Sequence, residues 1–227
     1  MTKNIVEQID DSVKIDTVLA SVSDKSGLET FIPQLLKLNP DLTILSTGGT
    51  YNRIKEILGN KADKCLKRVS EYTGQPETQG GLVKTLDFKI YLGLLTETYN
   101  ASHQDDLKRV SGKKIDMVIV NLYPFAETIA KPDVTCEMAR GNIDIGGPTM
   151  IRAAAKNFIR VASVVDPKSY DSIISNMKKN NGCLTLEDRF NLSKKAFEHT
   201  AVYDRTIADW LAKRTVNQVH DCYKTGE

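Results

Sequence analysis

The sequence predicts an α/β domain with a mainly parallel sheet flanked by helices, extended by a long carboxyl-terminal helical segment. Three observations carry that expectation. Between residues 17 and 177, short stretches of strand character alternate with stretches of helical period. Residues 117–120 are fully apolar and bounded by polar residues, as a strand covered on both faces is, and residues 161–165 read similarly. Glycine- and hydroxyl-rich turns follow strands and open helices, the βα repetition of a parallel sheet.

Residues 17–22 alternate as a strand does, and Ser23-Asp24-Lys25-Ser26-Gly27 turns the chain into an apolar-periodic helix over residues 28–38. A short strand at 43–45 runs into Thr47-Gly48-Gly49-Thr50, which opens a helix over about 51–58. Asp166-Pro167 starts a helix towards Met177, and Asn180-Asn181-Gly182 breaks the chain. Thr185, with Asp188 three residues on, resembles a weak capping box before a long helix over residues 186–213. Phe190, Phe197, Ala201, Ile207 and Trp210 recur along it at mostly helical spacing, so one face is expected to pack on the domain or on a second subunit. Residues 215–227 are polar and unpatterned and are expected to form a loose tail. The whole reads as one domain over residues 1–227, with a core from about 16 to 213.

Composition bounds the function. The 227 residues are 41% hydrophobic and 26% charged, ordinary for a globular chain with a sizeable core. A net charge of +2, with 7% aromatic residues that do not interleave with basic clusters, argues against nucleic acid or an acidic membrane surface as partner. No apolar run approaches a membrane span, and the amino-terminal stretch lacks a signal-peptide core, so a cytoplasmic protein with reduced thiols is expected. Cys65, Cys136, Cys183 and Cys222, like His103, His199 and His220, are too scattered to form a local metal motif. No metal is expected.

The most informative stretch runs from Asn142 to Asn157. Asp144 precedes Gly146 and Gly147, which let backbone approach a ligand closely; Pro148 suits the first turn of a helix, and Lys156 follows about three turns along. Free N–H groups at such a helix start bind anions or polar ligands. Two further strand–turn–helix junctions, Ser21-Val22-Ser23-Asp24-Lys25 and Ser46-Thr47-Gly48-Gly49-Thr50, have the hydroxyls, backbone N–H groups and lysine that a phosphomonoester needs. Neither is a Walker motif, and Ser23 and Thr50 are also consistent with plain helix caps. Lys84-Thr85 follows a glycine-rich loop that could lie over a site, although Lys84 could equally be a solvated lysine. Asn121 and Tyr123 alternate with Leu122 beyond the buried strand, so both can face one way while Leu122 packs the other.

Taken in order, Ser23-Asp24-Lys25, Thr47-Gly-Gly-Thr50, Glu71-Tyr-Thr-Gly, Val83-Lys84-Thr85-Leu86, Asn121-Leu-Tyr-Pro-Phe125, Ile143-Asp-Ile-Gly-Gly147, Arg152-Ala-Ala-Ala-Lys-Asn157 and Lys195-Ala-Phe-Glu-His-Thr-Ala-Val-Tyr-Asp204 resemble the IMP cyclohydrolase domain. That domain is the amino-terminal half of the bifunctional purine-biosynthesis protein whose other half is the AICAR formyltransferase. The resemblance covers residues 16–213 and implies a stand-alone cyclohydrolase here. It implies a methylglyoxal-synthase-like three-layer fold and closure of 5-formamidoimidazole-4-carboxamide ribotide (FAICAR) to inosine monophosphate (IMP), with no cofactor. It also implies a homodimer and a separate AICAR formyltransferase in the same cell.

By the same resemblance Lys84, Tyr123, Asp144 and Lys156 are catalytic. Lys156, with the backbone at Asp144, Ile145 and Gly146, is expected at the formyl oxygen, and Lys84 with Tyr123 as a proton relay. Substrate binding is implied for Ser21, Ser23, Asp24 and Lys25, for Thr47, Gly48, Gly49 and Thr50, and for Val83, Thr85, Asn121, Ile145 and Gly146. The chain departs from the usual pattern at Leu82, normally arginine, and at Asp87 and Tyr91, normally histidines. A lost guanidinium contact costs about 1.5–3 kcal/mol, roughly ten- to a hundred-fold in affinity; Lys25, Arg53 or Lys89 are the candidates to compensate. Two other functions fit the fold. A methylglyoxal-synthase-type lyase is disfavoured because the histidines lie away from the loops. A non-catalytic purine-nucleotide-binding regulatory module draws support from Leu82.

Overall fold

The computed structural model describes residues 5–76 and 83–226. Its strands are β1 (Ser12–Lys14), β2 (Thr17–Val22), β3 (Thr43–Ser46), β4 (Leu66–Arg68), β5 (Met117–Asn121), β6 (Ala162–Val164) and β7 (Cys183–Thr185). Five of them form one sheet in the order β4-β3-β2-β5-β6, with every neighbouring pair parallel. β1 and β7 pair antiparallel in a separate ribbon. The chain leaves β2 outward through β3 and β4, then returns to the opposite side of β2 with β5. The order therefore reverses between β2 and β5, and ligands bind at such a reversal, beyond the carboxyl ends of the strands.

Side-chain alternation along the strands makes two cores, one on each sheet face. Val18, Ala20 and Val22 of β2 meet Phe31, Ile32 and Leu35 of α1 (Leu28–Leu38), Ile54 of α2 (Gly48–Leu58) and Ile173, Ile174 and Met177 further along the chain. Leu19, Val118 and Val120 face the other way. They meet Ile90 and Leu94, then Met150, Ile151, Ala154 and Ala155, and finally Ala196, Tyr203 and Trp210. The result is a three-layer domain of the kind expected, helices on both faces of a parallel sheet.

Of the remaining helices, α3 (Ala62–Cys65) and α4 (Val69–Thr73) flank β4, while α5 (Phe88–Leu95) and α6 (Ala101–Arg109) precede β5. The sequence reading did not resolve these. α5 is apolar almost all round, so eight residues show no period, and its start is marked only by Asp87, whose carboxylate accepts from the Lys89 N–H at 2.8 Å. Aspartate at this unusual position thus serves as a helix cap. After β5 come α7 (Phe125–Ile129), α8 (Cys136–Gly141) and α9 (Gly146–Lys156), then α10 (Tyr170–Lys179).

The long helix α11 (Leu186–Leu211) begins at the expected capping box, Thr185 Oγ1 accepting from Asp188 N–H at 3.2 Å while Asp188 Oδ2 accepts from Thr185 N–H at 3.0 Å. Arg189, wholly buried, anchors it by donating to the carbonyls of Asp10, Asp11, Phe158, Ile159 and Leu184. Beyond it the expected loose tail differs from what is found. α12 (Val216–His220) forms, with Thr215 and Gln218 making a capping box, and the Tyr223 hydroxyl reaches Glu137. A capping box is spelled in polar residues, so this turn carried no apolar period to notice. Among the described residues no helix is long and apolar enough to cross a membrane.

Candidate functional site

A cavity of about 370 Å³ opens at the carboxyl ends of β2, β3 and β5, where the strand order reverses. Two helix N-termini face it, α2 from one side and α9 from the other.

The α2 end is built for an anion. The residue before the helix, Thr47, makes no side-chain capping bond, so the first N–H groups of α2 have no side-chain acceptor. Gly48 adopts φ 46°, a left-handed conformation that glycine enters freely. Both lysines of the cavity converge here: a Cβ on Gly48 would lie 3.5 Å from Lys84 Nζ, and one on Gly49 would lie 3.8 Å from Lys25 Nζ. The Ser21 and Thr47 hydroxyls stand 3.2 Å apart at the same corner. Two ammonium groups, two hydroxyls and a positive helix end make a phosphate-sized, cation-rich recess.

Other residues expected here hold the recess rather than line it with free groups. Thr50 Oγ1 is buried, accepts from Val22 N–H at 2.9 Å and donates to Val22 O at 3.1 Å, so it joins α2 to β2. Asn121 Oδ1 accepts from the N–H groups of Ser23 at 2.7 Å and Asp24 at 2.8 Å, and its Nδ2 donates to Asp24 O at 2.8 Å. Asn121 therefore clamps the β2–α1 turn, and the two N–H groups expected to meet a phosphate are already taken. Asp24 lies outside the cavity lining; its exposed carboxylate accepts from the N–H and hydroxyl of Ser26, which hold its pKa below the usual value. Ser23 lends its carbonyl to Lys25 Nζ at 3.1 Å, orienting that lysine.

At the α9 end, no side chain caps the helix from Ile145. Asp144 Oδ1 accepts from Gly147 N–H at 2.8 Å, and the Tyr123 N–H also points at this carboxylate. Burial outweighs these bonds and holds the Asp144 pKa above the ordinary carboxyl value. A Cβ at Gly147 would lie 2.5 Å from Asp144 Oδ2, so any side chain there displaces a neighbour. Tyr123 is 48% exposed on the cavity wall while Leu122 packs inside, as the alternation implied. Buried Thr85 closes against Gly146, whose Cβ position would lie 3.0 Å from Thr85 Oγ1, and Ile145 stands exposed at the rim. Ile143 and Met150, not singled out in the sequence, add apolar wall; Met150 lies one helical turn from Gly146 on the same face, the signal that would have found it.

Besides Asp24, two expected site residues lie outside the cavity of one chain. Lys156 closes α9 at the end opposite Gly146, about 15 Å away at 1.5 Å per residue, exposed and outside the cavity. Spacing of about three turns along a straight helix separates two residues; it does not bring them together. Val83 lies beside the cavity, next to Lys84, rather than in its wall. Of the residues suggested to compensate for Leu82, only Lys25 lines the cavity. Arg53 pairs with Glu29 and Glu56, and Lys89 donates to Tyr72 O at 2.8 Å over the Tyr72 ring. Leu82 itself lies outside the described residues. No group of three or more His, Cys, Asp or Glu side chains suited to a metal occurs among the described residues.

Fold and cavity together define an α/β domain with a cation-rich recess at the switch point of a parallel sheet and a half-buried carboxylate opposite. The chain belongs to the MGS-like domain family, which matches residues 27–149, and residues 154–226 match the AICARFT/IMPCHase bienzyme family. It is similar to proteins named "Bifunctional purine biosynthesis protein PurH". The relative from Prochlorococcus marinus (strain MIT 9211) is 47% identical over 196 residues, 86% of this chain and 36% of that protein. The one from Thermoanaerobacter sp. (strain X514) is 48% identical, with 86% and 37% covered; the one from Leptospira biflexa serovar Patoc (strain Patoc 1 / Ames) is 45% identical over 202 residues, with 89% and 38% covered. The chain thus spans 36–38% of the length of these curated relatives. A solved structure described as "Crystal structure of ForH" superposes with a TM-score of 0.73 at 32% identity, covering 86% of this chain and 96% of that one.

Proposed function

We propose that this cavity closes FAICAR to IMP in purine biosynthesis. The observation that carries the reading is the pair of facing helix N-termini: a two-lysine recess at Gly48-Gly49 for the ribotide phosphate, and a half-buried carboxylate beside the Ile145-Gly146 backbone at the α9 start for the reacting amides. Kinship with the PurH proteins supports the same step.

In the reaction the carboxamide nitrogen attacks the formamide carbon, and the formyl oxygen becomes an oxyanion. That oxygen takes two protons and leaves as water, while the attacking nitrogen gives up one proton and the formamide nitrogen the other as its C=N bond to the former formyl carbon forms. Anchoring the phosphate makes the closure a matter of rotamer, since both reacting groups sit on one base. The Ile145 and Gly146 N–H groups at the α9 start donate to the oxyanion, and Asp144 accepts the amide proton, a task suited to a carboxylate whose pKa burial has raised. The Tyr123 hydroxyl, on the same wall, delivers a proton to the departing oxygen. Lys84, with its ammonium at Gly48, serves the phosphate together with Lys25. This replaces the relay expected of Lys84 and leaves Lys156 without a part in one chain.

The substrate would come from a formyltransferase acting on the corresponding aminoimidazole ribotide. Mixing the protein with FAICAR and following IMP absorbance tests the reading; closure no faster than in buffer sinks it. Saturable IMP binding without closure would instead support the regulatory-module alternative, which the distance of Lys156 from the cavity favours.

A further inference from the structure

We infer that Tyr203, on α11, is a positioning residue for Asp144: its hydroxyl splints the turn that aims the carboxylate and the α9 N-terminus into the cavity. This rests on the cyclohydrolase reading. Tyr203 lies in the segment Lys195-Ala-Phe-Glu-His-Thr-Ala-Val-Tyr-Asp204, which borders no part of the cavity and has otherwise no role in the chemistry.

The geometry is specific. The Tyr203 hydroxyl accepts from the Asp144 N–H at 2.8 Å and donates to the Asn142 carbonyl at 3.3 Å. One side-chain atom thus ties both ends of the turn entering α9, using the donor and acceptor capacity of a phenol together. Burial holds its pKa above the usual tyrosine value, so the hydroxyl keeps the proton that the Asn142 contact needs. The ring is 9% exposed and meets Phe125 edge-on at 6.3 Å between centroids. α11 itself is immobilised by Arg189 near its start. A rigid helix, a fixed ring and a bifunctional hydroxyl therefore hold the turn from outside, adding to the bonds it makes within itself and to the Tyr123 and Gly147 N–H groups on the Asp144 carboxylate. Small errors at that turn matter, because a displacement of about 1 Å in a reacting group costs about a hundred-fold in rate.

The test is Tyr203→Phe, which removes the hydroxyl and keeps the ring, alongside Phe125→Leu, which loosens the ring and keeps the hydroxyl. For Tyr203→Phe, kcat for ring closure should fall about ten-fold or more while KM changes less than about three-fold, since the phosphate recess is untouched. The acid limb of the pH profile should also move. Among the described residues, the titratable and charged groups around Asp144 are Tyr123 after β5, Tyr203 and Asp204 on α11, and Lys25 and Lys84 across the cavity. Only the Tyr203 contact changes in this variant. Phe125→Leu should lower Tm without shifting that limb. Titration of the Asp144 carboxyl by carbon NMR gives a readout independent of turnover, and should move towards the ordinary carboxyl range in Tyr203→Phe. Wild-type protein that fails to close the ring refutes the cyclohydrolase reading. Active wild type with Tyr203→Phe unchanged in kcat, or an unmoved Asp144 titration, refutes the role of Tyr203.

Discussion

A methyl group at Gly147 probes the α9 corner at the point of least space. A Cβ there would stand 2.5 Å from Asp144 Oδ2, 2.6 Å from Leu122 Cδ2 and 3.0 Å from Asp144 Cγ, where ordinary contact begins at 3.4 Å. Leu122 is 8% exposed and set in the core, so its Cδ2 gives by about 0.8 Å only at a packing cost, while Asp144 borders the open cavity and its carboxylate yields freely. Restoring ordinary contact moves Oδ2 by about 0.9 Å, the difference between 2.5 and 3.4 Å, and disturbs the 2.8 Å bond from Gly147 N–H. Two opposing effects act on stability. Alanine in place of glycine favours the helix by about 1 kcal/mol, and overpacking costs about 1–3 kcal/mol. The net loss of about 0–2 kcal/mol lowers Tm by at most about 8 °C in a chain of this size. Activity should suffer far more, because a shift approaching 1 Å in a reacting carboxylate costs about a hundred-fold in kcat, about 2.7 kcal/mol of barrier. FAICAR closure and thermal melting of Gly147→Ala measure both. A folded variant with kcat within two-fold of wild type would show that the carboxylate position does not govern the reaction.

Three further outcomes follow from the same geometry. Lys25→Ala should raise KM for the ribotide about ten- to a hundred-fold with kcat little changed, and the penalty should vanish on the dephosphorylated nucleoside; equal penalties on both would remove Lys25 from the phosphate recess. Asp144→Asn should abolish closure yet raise Tm at neutral pH. Because burial raises this carboxyl pKa, the folded state binds its proton more tightly than the unfolded state, so stability falls as pH rises from the ordinary carboxyl value through the raised one. Wild-type activity should correspondingly fade as pH drops through the raised value, and a Tm lowered by Asp144→Asn at pH 7 would contradict the sign. Away from the site, Asp116→Ala strips Arg160 of its partner at 2.9 Å, with both side chains nearly inaccessible, and should cost about 3–5 kcal/mol in urea unfolding. A loss under 1 kcal/mol would mean that the pair is not what closes the amino ends of β2 and β5.

The architecture was written locally. An unbroken apolar run such as residues 117–120 can only be satisfied by burial on both faces, and alternation along residues 17–22 sorts side chains between two layers. Glycines after strands and hydroxyls before helices mark the turns, so four of the five sheet strands, the long helix with its capping box and the two glycine- and hydroxyl-rich junctions could be derived from neighbours in sequence, whereas three-residue β4 could not. α5 and α12 escaped because eight uniformly apolar residues and five polar ones carry no period to detect.

What the sequence determined by itself, then, is which groups the cavity has available: Lys25, Gly48-Gly49, Tyr123 and the Asp144–Gly147 turn, near strand ends or helix starts, and Lys84 in the loop before α5. Tertiary structure decided how those groups are used. Asn121 and Thr50 look like ligand contacts in one dimension, yet both hydrogen-bond first to the backbone of Ser23, Asp24 and Val22. Lys156 shares a motif with Asp144 but stands a helix length away, whereas Tyr203, 59 positions distant in sequence, touches the Asp144 backbone. The reason is physical. A helix converts sequence proximity into axial separation, and hydrogen bonds between elements depend on distances that only packing of the layers sets.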